Sequence, residues 1–285
     1  MNLEAILIYQ FPETEYEYGF KDSILYALGL GYGADPMDEE ALRFVTEEDQ
    51  RVVPTQCNVM GYPGFWLRDV PELGFDWVKV VHGEQAIEIL GPLRPSGKVI
   101  SRNRIRAIVD KGADRGAIVH LEREIFDADS GALLARVRTA TFARGDGGCG
   151  GFGEAPETSY ALPAGEPALE REYATSPAAA LIYRLSGDFN PLHSCPRVAR
   201  EAGYDQPILH GMCTMGIACR AIVEAYCGGD PDRLQSMFVR FASPVFPGET
   251  IRVQFYPEAD GVRFRALAAE RNVVVLDRGA AAIRT

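Results

Sequence analysis

The sequence predicts an α+β chain made of two similar halves. Each half is a curved antiparallel sheet, and the second is wrapped around one buried helix. Three observations predict this: strand-like alternation late in each half, a single helix apolar nearly all round, and short similarities at matching offsets. Residues 24–28, I-L-Y-A-L, resemble 181–185, L-I-Y-R-L, at an offset of 157. G-P-L-R-P-S-G-K-V-I at 91–100 resembles S-P-V-F-P-G-E-T-I at 243–251, at an offset of 152. Common order and nearly equal offsets point to duplication. The 285 residues comfortably supply two domains of ordinary size.

Alternation of period two marks sheets with one covered face. In the first half it runs through V-I-S-R-N-R-I-R-A-I-V, A-I-V-H-L-E-R-E-I-F and L-L-A-R-V-R-T-A-T-F. In the second it runs through T-I-R-V-Q-F, V-R-F-R-A-L and N-V-V-V-L. The helix is predicted over 209–227, with Met212, Met215, Cys219, Ile222, Val223 and Tyr226 at helical spacing. Its other faces carry mostly Ala, Gly, Ile and Cys, so it is buried. Arg220 and Glu224 are four apart and able to pair, and Gly228-Gly229 stops it. Between the halves lies G-D-G-G-C-G-G-F-G at 145–153. Its G-x-G-x-x-G is followed by more glycine, Pro156 and Pro163 rather than a helix, so it reads as a linker, not a dinucleotide loop. The division is therefore 1–150 for the first half, 151–165 for the linker and 166–285 for the second half.

The composition, 47% hydrophobic and 24% charged, is that of a soluble globular chain. No apolar run approaches the roughly 20 residues that span a membrane, and neither terminus carries a recognisable address. A cytoplasmic location is expected. The net charge of −11 argues against a nucleic-acid partner. The six cysteines lack C-x-x-C pairing and are expected to be reduced and mostly buried. A zinc site from His193, Cys195, His210 and Cys213 would have spacings that fit no common pattern.

Chemistry concentrates in Y-R-L-S-G-D-F-N-P-L-H at 183–193. Gly187, Asn190 and Pro191 favour irregular backbone. That brings a carboxylate (Asp188), an amide (Asn190) and an imidazole (His193) within six residues. Together they can hold one water, take a proton from it and return one to carbon. The bland alternative is that Asp188 and Asn190 serve the turn and His193 is simply buried. P-I-L-H-G at 207–211 then runs into the helix and puts Gly211 at its N-terminus. Free N–H groups and the positive end of the dipole can there stabilise a developing enolate oxygen.

These motifs, with A-x-x-A-G-Y before the helix, resemble the MaoC-like, R-specific (type 2) enoyl-CoA hydratases. The resemblance is to their two-half form, similar to the hydratase part of the peroxisomal multifunctional enzyme. It extends to V-H-G-E-Q at 81–85 and the glycine-rich junction. It implies a double hot-dog fold, a homodimer, and conversion of trans-2-enoyl-CoA to (3R)-3-hydroxyacyl-CoA. By the matching motif, Asp188 and His193 would be the catalytic pair, Asn190 would position water and Gly211 would supply the oxyanion N–H. His82, Gly83, Lys111 and Phe241 would contact the acyl-CoA. The resemblance implies no metal or redox cofactor, CoA being part of the substrate. The first half, with L-G-Y-G-A-D-P in place of G-D-F-N-P-L-H, is expected to be non-catalytic and to accommodate the acyl chain after losing its helix. One departure is His193-Ser194-Cys195-Pro196 where the family has H-x-D-P. It makes Cys195 a weak helix cap, at about 1 kcal/mol. A hot-dog thioesterase and a non-catalytic acyl-CoA-binding subunit are the alternatives.

Overall fold

The computed structural model describes residues 1–156 and 160–284. Ten strands form the sheet: β1 Thr14–Tyr18, β2 Val80–Ile89, β3 Gly97–Asp110, β4 Ala117–Asp127, β5 Leu133–Ala143, β6 Leu169–Ala174, β7 Leu234–Phe241, β8 Thr250–Glu258, β9 Gly261–Ala268 and β10 Val273–Ile283. Seven α-helices accompany them among the described residues: α1 Leu3–Ile8, α2 Phe20–Gly29, α3 Glu39–Leu42, α4 Trp66–Asp69, α5 Ala179–Tyr183, α6 Pro196–Glu201 and α7 Gly211–Tyr226.

The strand order is β1-β3-β4-β5-β2-β7-β10-β9-β8-β6, and all pairings are antiparallel. Read from its centre, the order is the same in both directions. Each half is one five-stranded hot-dog sheet. The two half-sheets read from the sequence are joined edge to edge through β2 and β7, from Glu84↔Arg240 to Glu88↔Ser236. Without this pairing, each half would leave an unpaired edge strand.

The duplicated segments pack on one another. Tyr26 of α2 and Tyr183 of α5, 157 residues apart, have ring centroids 5.7 Å apart. The helix α7 fills the second half: Cys213, Met215, Cys219, Ala221, Ile222 and Val223 are fully buried. Its two charges pair, with Arg220 Nε 2.7 Å from Glu224 Oε1. At the equivalent place in the first half, one 157-residue offset away, stands only a 3-10 turn, Pro54–Asn58. Among the described residues 30–79, no helix exceeds five residues.

The glycine-rich junction is more than a spacer. The Asp110 carboxylate accepts from Gly148 N and Gly150 N, both at 2.8 Å, and Phe152 pairs with Ile108 of β3. A side chain at Gly151 would bring its Cβ to 2.5 Å from the Ile108 carbonyl, which is why glycine stands there. Among the described residues the next regular element after it is the strand β6, not a helix, consistent with its reading as something other than a phosphate loop. Residues 157–159 of the expected linker lie outside the described residues. All six cysteines are free, with Cys57, Cys213, Cys219 and Cys227 buried.

Candidate active site

The 3-10 turn Pro191–His193 is capped by Asn190, whose Oδ1 accepts from Leu192 N at 3.1 Å. Asp188 Oδ1 accepts from Asn190 N at 3.2 Å. Both side chains therefore shape their own loop, as the bland reading expects, and the same bonds aim the Asp188 carboxylate. His193 is 9% exposed, and its Nδ1 lies 2.9 Å from the Ile208 carbonyl. A carbonyl only accepts, so Nδ1 carries the proton and Nε2 keeps a bare lone pair. Burial lowers the His193 pKa, opposed by the Ile208 carbonyl and the Asp188 charge. The ring is thus neutral and basic near pH 7.

Beside it lies a residue to which the sequence assigned no catalytic part. His210 is 1% exposed and stacks on His193, with centroids 3.7 Å apart and planes at 26°. Its Nε2 lies 3.2 Å from the Asp188 main-chain carbonyl, and its Nδ1 is buried without a partner among the described residues. Burial, then the neighbouring His193, lowers its pKa. His210 so ties the helix entry to the Asp188 loop. In sequence it entered only as an unlikely zinc ligand, and the stacking on His193 depends on two loops meeting.

Gly211 opens α7, with His210 as the N-cap residue and no side-chain capping bond. The first intrahelical donors are Cys213 N and Thr214 N, both to His210 O, which leaves the Gly211 N–H unused by the helix. A Cβ at Gly211 would lie 3.0 Å from Phe241 Cε1. Phe241 in turn meets His82 edge-on, at 4.6 Å between ring centroids. His82 Nε2 is 2.9 Å from Gln85 Oε1, and Gln85 Nε2 donates to Asn58 Oδ1 at 2.9 Å. Gly83 sits where the β2–β5 register shifts between His82 and Glu84.

The structure therefore brings Asp188, Asn190 and His193 together. It also links Gly211, Phe241 and His82 by contact. Lys111 stands apart, in the β3–β4 hairpin, where its N donates to Gly116 O at 2.9 Å. Asp188, His193 and His210 each offer a ligand atom within 4.8 Å of the others. A metal at about 2.0–2.1 Å from both imidazoles needs lone pairs that converge, whereas stacked rings direct theirs along nearly parallel planes. The imagined zinc partner Cys213 donates instead to Gly29 O at 3.4 Å.

Fold and site together define a double hot-dog protein with a histidine–aspartate pair beside a helix N-terminus. Residues 16–145 match the MFE-2 hydratase 2 N-terminal domain, and residues 159–278 match the MaoC like domain. The chain is 36% identical to peroxisomal enoyl-CoA hydratase 2 of Arabidopsis thaliana, covering 96% of this chain and 93% of that one. It is 39% identical to 3-hydroxyacyl-thioester dehydratase Y of Mycobacterium tuberculosis, over 93% and 92% of the two chains. The crystal structure of a MaoC-like dehydratase from Phytophthora capsici superposes with a TM-score of 0.88 at 33% identity, over 100% and 99% of the chains. The chain belongs to the MaoC-like hydratase 2 family.

Proposed function

We propose that this protein is a hydro-lyase that adds water to trans-2-enoyl-CoA and gives (3R)-3-hydroxyacyl-CoA. The observation that carries the reading is the fixed tautomer of His193. Its N–H is committed to Ile208 O, which leaves a bare nitrogen beside the Asp188 carboxylate. The substrate carbonyl accepts from the Gly211 N–H, where the helix dipole favours the negative oxygen of the enolate. Water sits between Asp188 and His193. One of the pair takes its proton as oxygen attacks C3, and the other assists in delivering a proton to C2. His82 and Phe241 wall the thioester, and Lys111 meets the anionic CoA.

The reaction needs no metal or redox cofactor in this scheme. A homodimer in the cytoplasm completes the proposal, although the Arabidopsis relative is named as peroxisomal. No helix of the described residues is long and apolar enough to cross a membrane. Light scattering and cell fractionation test these two points.

The decisive experiment follows loss of enoyl-thioester absorbance with crotonyl-CoA and a medium-chain trans-2-enoyl-CoA. Loss without thiol release, reduced about 10²–10⁴-fold in both His193→Ala and Asp188→Ala, is the expected result. Thiol release would instead identify a thioesterase, and binding without turnover a non-catalytic subunit.

A further inference from the structure

The inner face of the first half-sheet holds a cation without a counter-charge among the described residues. Arg123 of β4 is 4% exposed and lies opposite Asn103 on β3 and Val137 on β5. Its Nη2 donates to the carbonyls of Asn58, at 2.5 Å, and Cys57, at 3.3 Å, closing the 3-10 turn Pro54–Asn58. Its Nε and Nη1 are buried without a hydrogen-bond partner among the described residues. The same holds for both amide atoms of the facing Asn103, which is 9% exposed. The groups that act on the guanidinium electrically are the Cys57 thiol and the Tyr62 phenol, with no carboxylate among the described residues. Burial lowers its pKa to about 10.

Buried polar groups are almost always paired, and an isolated buried charge costs far more than a lost hydrogen bond. Water could satisfy the N–H groups of the two orphaned nitrogens, but it would leave the charge uncompensated. An anionic acceptor does both. The cation also lies on the acyl side of the site. Its guanidinium is 5.6 Å from the Tyr62 ring, whose phenol pKa is raised first by burial and then by the Asp188 charge. Asn58, held by Arg123, places its Nδ2 3.8 Å from Met215 Sδ. Met215 is one turn, about 6 Å along the axis, from Gly211.

Resting on the hydratase reading above, we infer that Arg123, with Asn103, receives a carboxylate at the far end of the acyl chain. The substrate class is then the ω-carboxy-2-enoyl-CoA thioesters, half-thioesters of dicarboxylic acids. The thioester docks at Gly211, and the chain runs past Tyr62 into the first half, where a second helix would otherwise stand.

The test compares kcat/KM for trans-2-enoyl-CoA and ω-carboxy-trans-2-enoyl-CoA of equal length, at six, eight and ten acyl carbons. The CoA moiety is common to each pair, so its contacts cancel in the ratio. Wild type should favour the carboxylate by on the order of 10- to 100-fold at one length, the worth of one charge-assisted hydrogen bond. Arg123→Met should abolish that preference and Asn103→Leu should weaken it. Equal rates or a preference for the methyl end at every length in wild type would overturn the inference. So would an Arg123→Met variant that slows both substrates equally and keeps the ratio. If Arg123→Met fails to fold, because the turn at Cys57 and Asn58 is released, the wild-type ratio and Asn103→Leu decide. If neither substrate is consumed, the hydratase reading fails. Calorimetry with the saturated acyl-CoA and ω-carboxyacyl-CoA pair then decides the anion site separately.

Discussion

Gly211→Ala isolates the contact between the helix start and the wall of the site. Gly211 has no positive φ, so alanine meets no backbone strain, and alanine is the better helix former. The N–H is also retained. What changes is one methyl group, placed 3.0 and 3.1 Å from two carbons of the Phe241 ring. Carbon atoms pack at about 3.5–4.0 Å, so either the ring or the first turn of α7 must shift by roughly half an ångström. The ring is not free, because His82 lies against it and is itself bound to Gln85. Overpacking of this kind costs about 1–3 kcal/mol. At roughly 2–4 °C per kcal/mol for a chain of this size, Tm should fall by about 2–12 °C. Misplacing the carbonyl site by up to an ångström should lower kcat on the order of 100-fold. The assay is enoyl-thioester absorbance, run as a double-mutant cycle with Phe241→Leu, which removes the colliding ring edge. The double variant should recover at least tenfold in kcat over Gly211→Ala. Wild-type kcat in Gly211→Ala, or no recovery in the double variant, would refute the reasoning.

Two further outcomes are expected. Folded His193 binds its proton more weakly than an unfolded histidine, whose pKa is about 6.5. Activity should therefore hold near pH 7 and fall as pH drops below about 6.5 toward the lower folded value. Its contribution to stability has the same sign: full above about 6.5, and lost as pH falls through the folded pKa. A kcat/KM–pH profile and a Tm–pH series of wild type against His193→Gln check both, since the His193 component is absent in the variant. At α6, Cys195 is an extended N-cap (φ −113°, ψ 111°) with no side-chain capping bond. The thiol is only a weak acceptor for the N–H groups of Val198 and Arg197, so Cys195→Asp should strengthen the cap, stabilise the protein by about 1 kcal/mol and raise Tm by roughly 2–4 °C in a thermal melt.

The sequence carried the parts of the fold that are local. Alternation located β3, β4, β5, β8 and β9 to within three residues but caught only the start of β10, and apolar spacing located α7, because each signal reflects a face the element buries by itself. The central pair was less legible. β2 and β7 lie between neighbours on both edges, and β7 buries the three successive residues Met237, Phe238 and Val239, so its alternation is blurred. Asp188, Asn190 and His193 are close in the chain, so their proximity could be read. His210 joins them only because Ile208 O and the Asp188 carbonyl hold two rings face to face. Arg123 was hidden for a different reason. In H-L-E-R-E-I it lies in phase with Leu121 and Ile125, on the face that turns inward opposite Asn103, but an arginine between two glutamates reads as a solvated charge.

The centred strand order has a consequence for how such a chain can diverge. Were the halves identical, any residue near the axis between them would meet its own copy, and one side chain would have to suit both sides. Tyr26 against Tyr183 still satisfies that condition. Asn58 and Met215 occupy the same offset and also touch, yet they are an amide and a thioether. Covalent linkage allows that mismatch. On one side of the contact the amide holds Gln85 and its backbone receives Arg123, while on the other the thioether packs within α7. Fusion thus lets one position be polar and apolar at once, a choice closed to a pair of identical subunits.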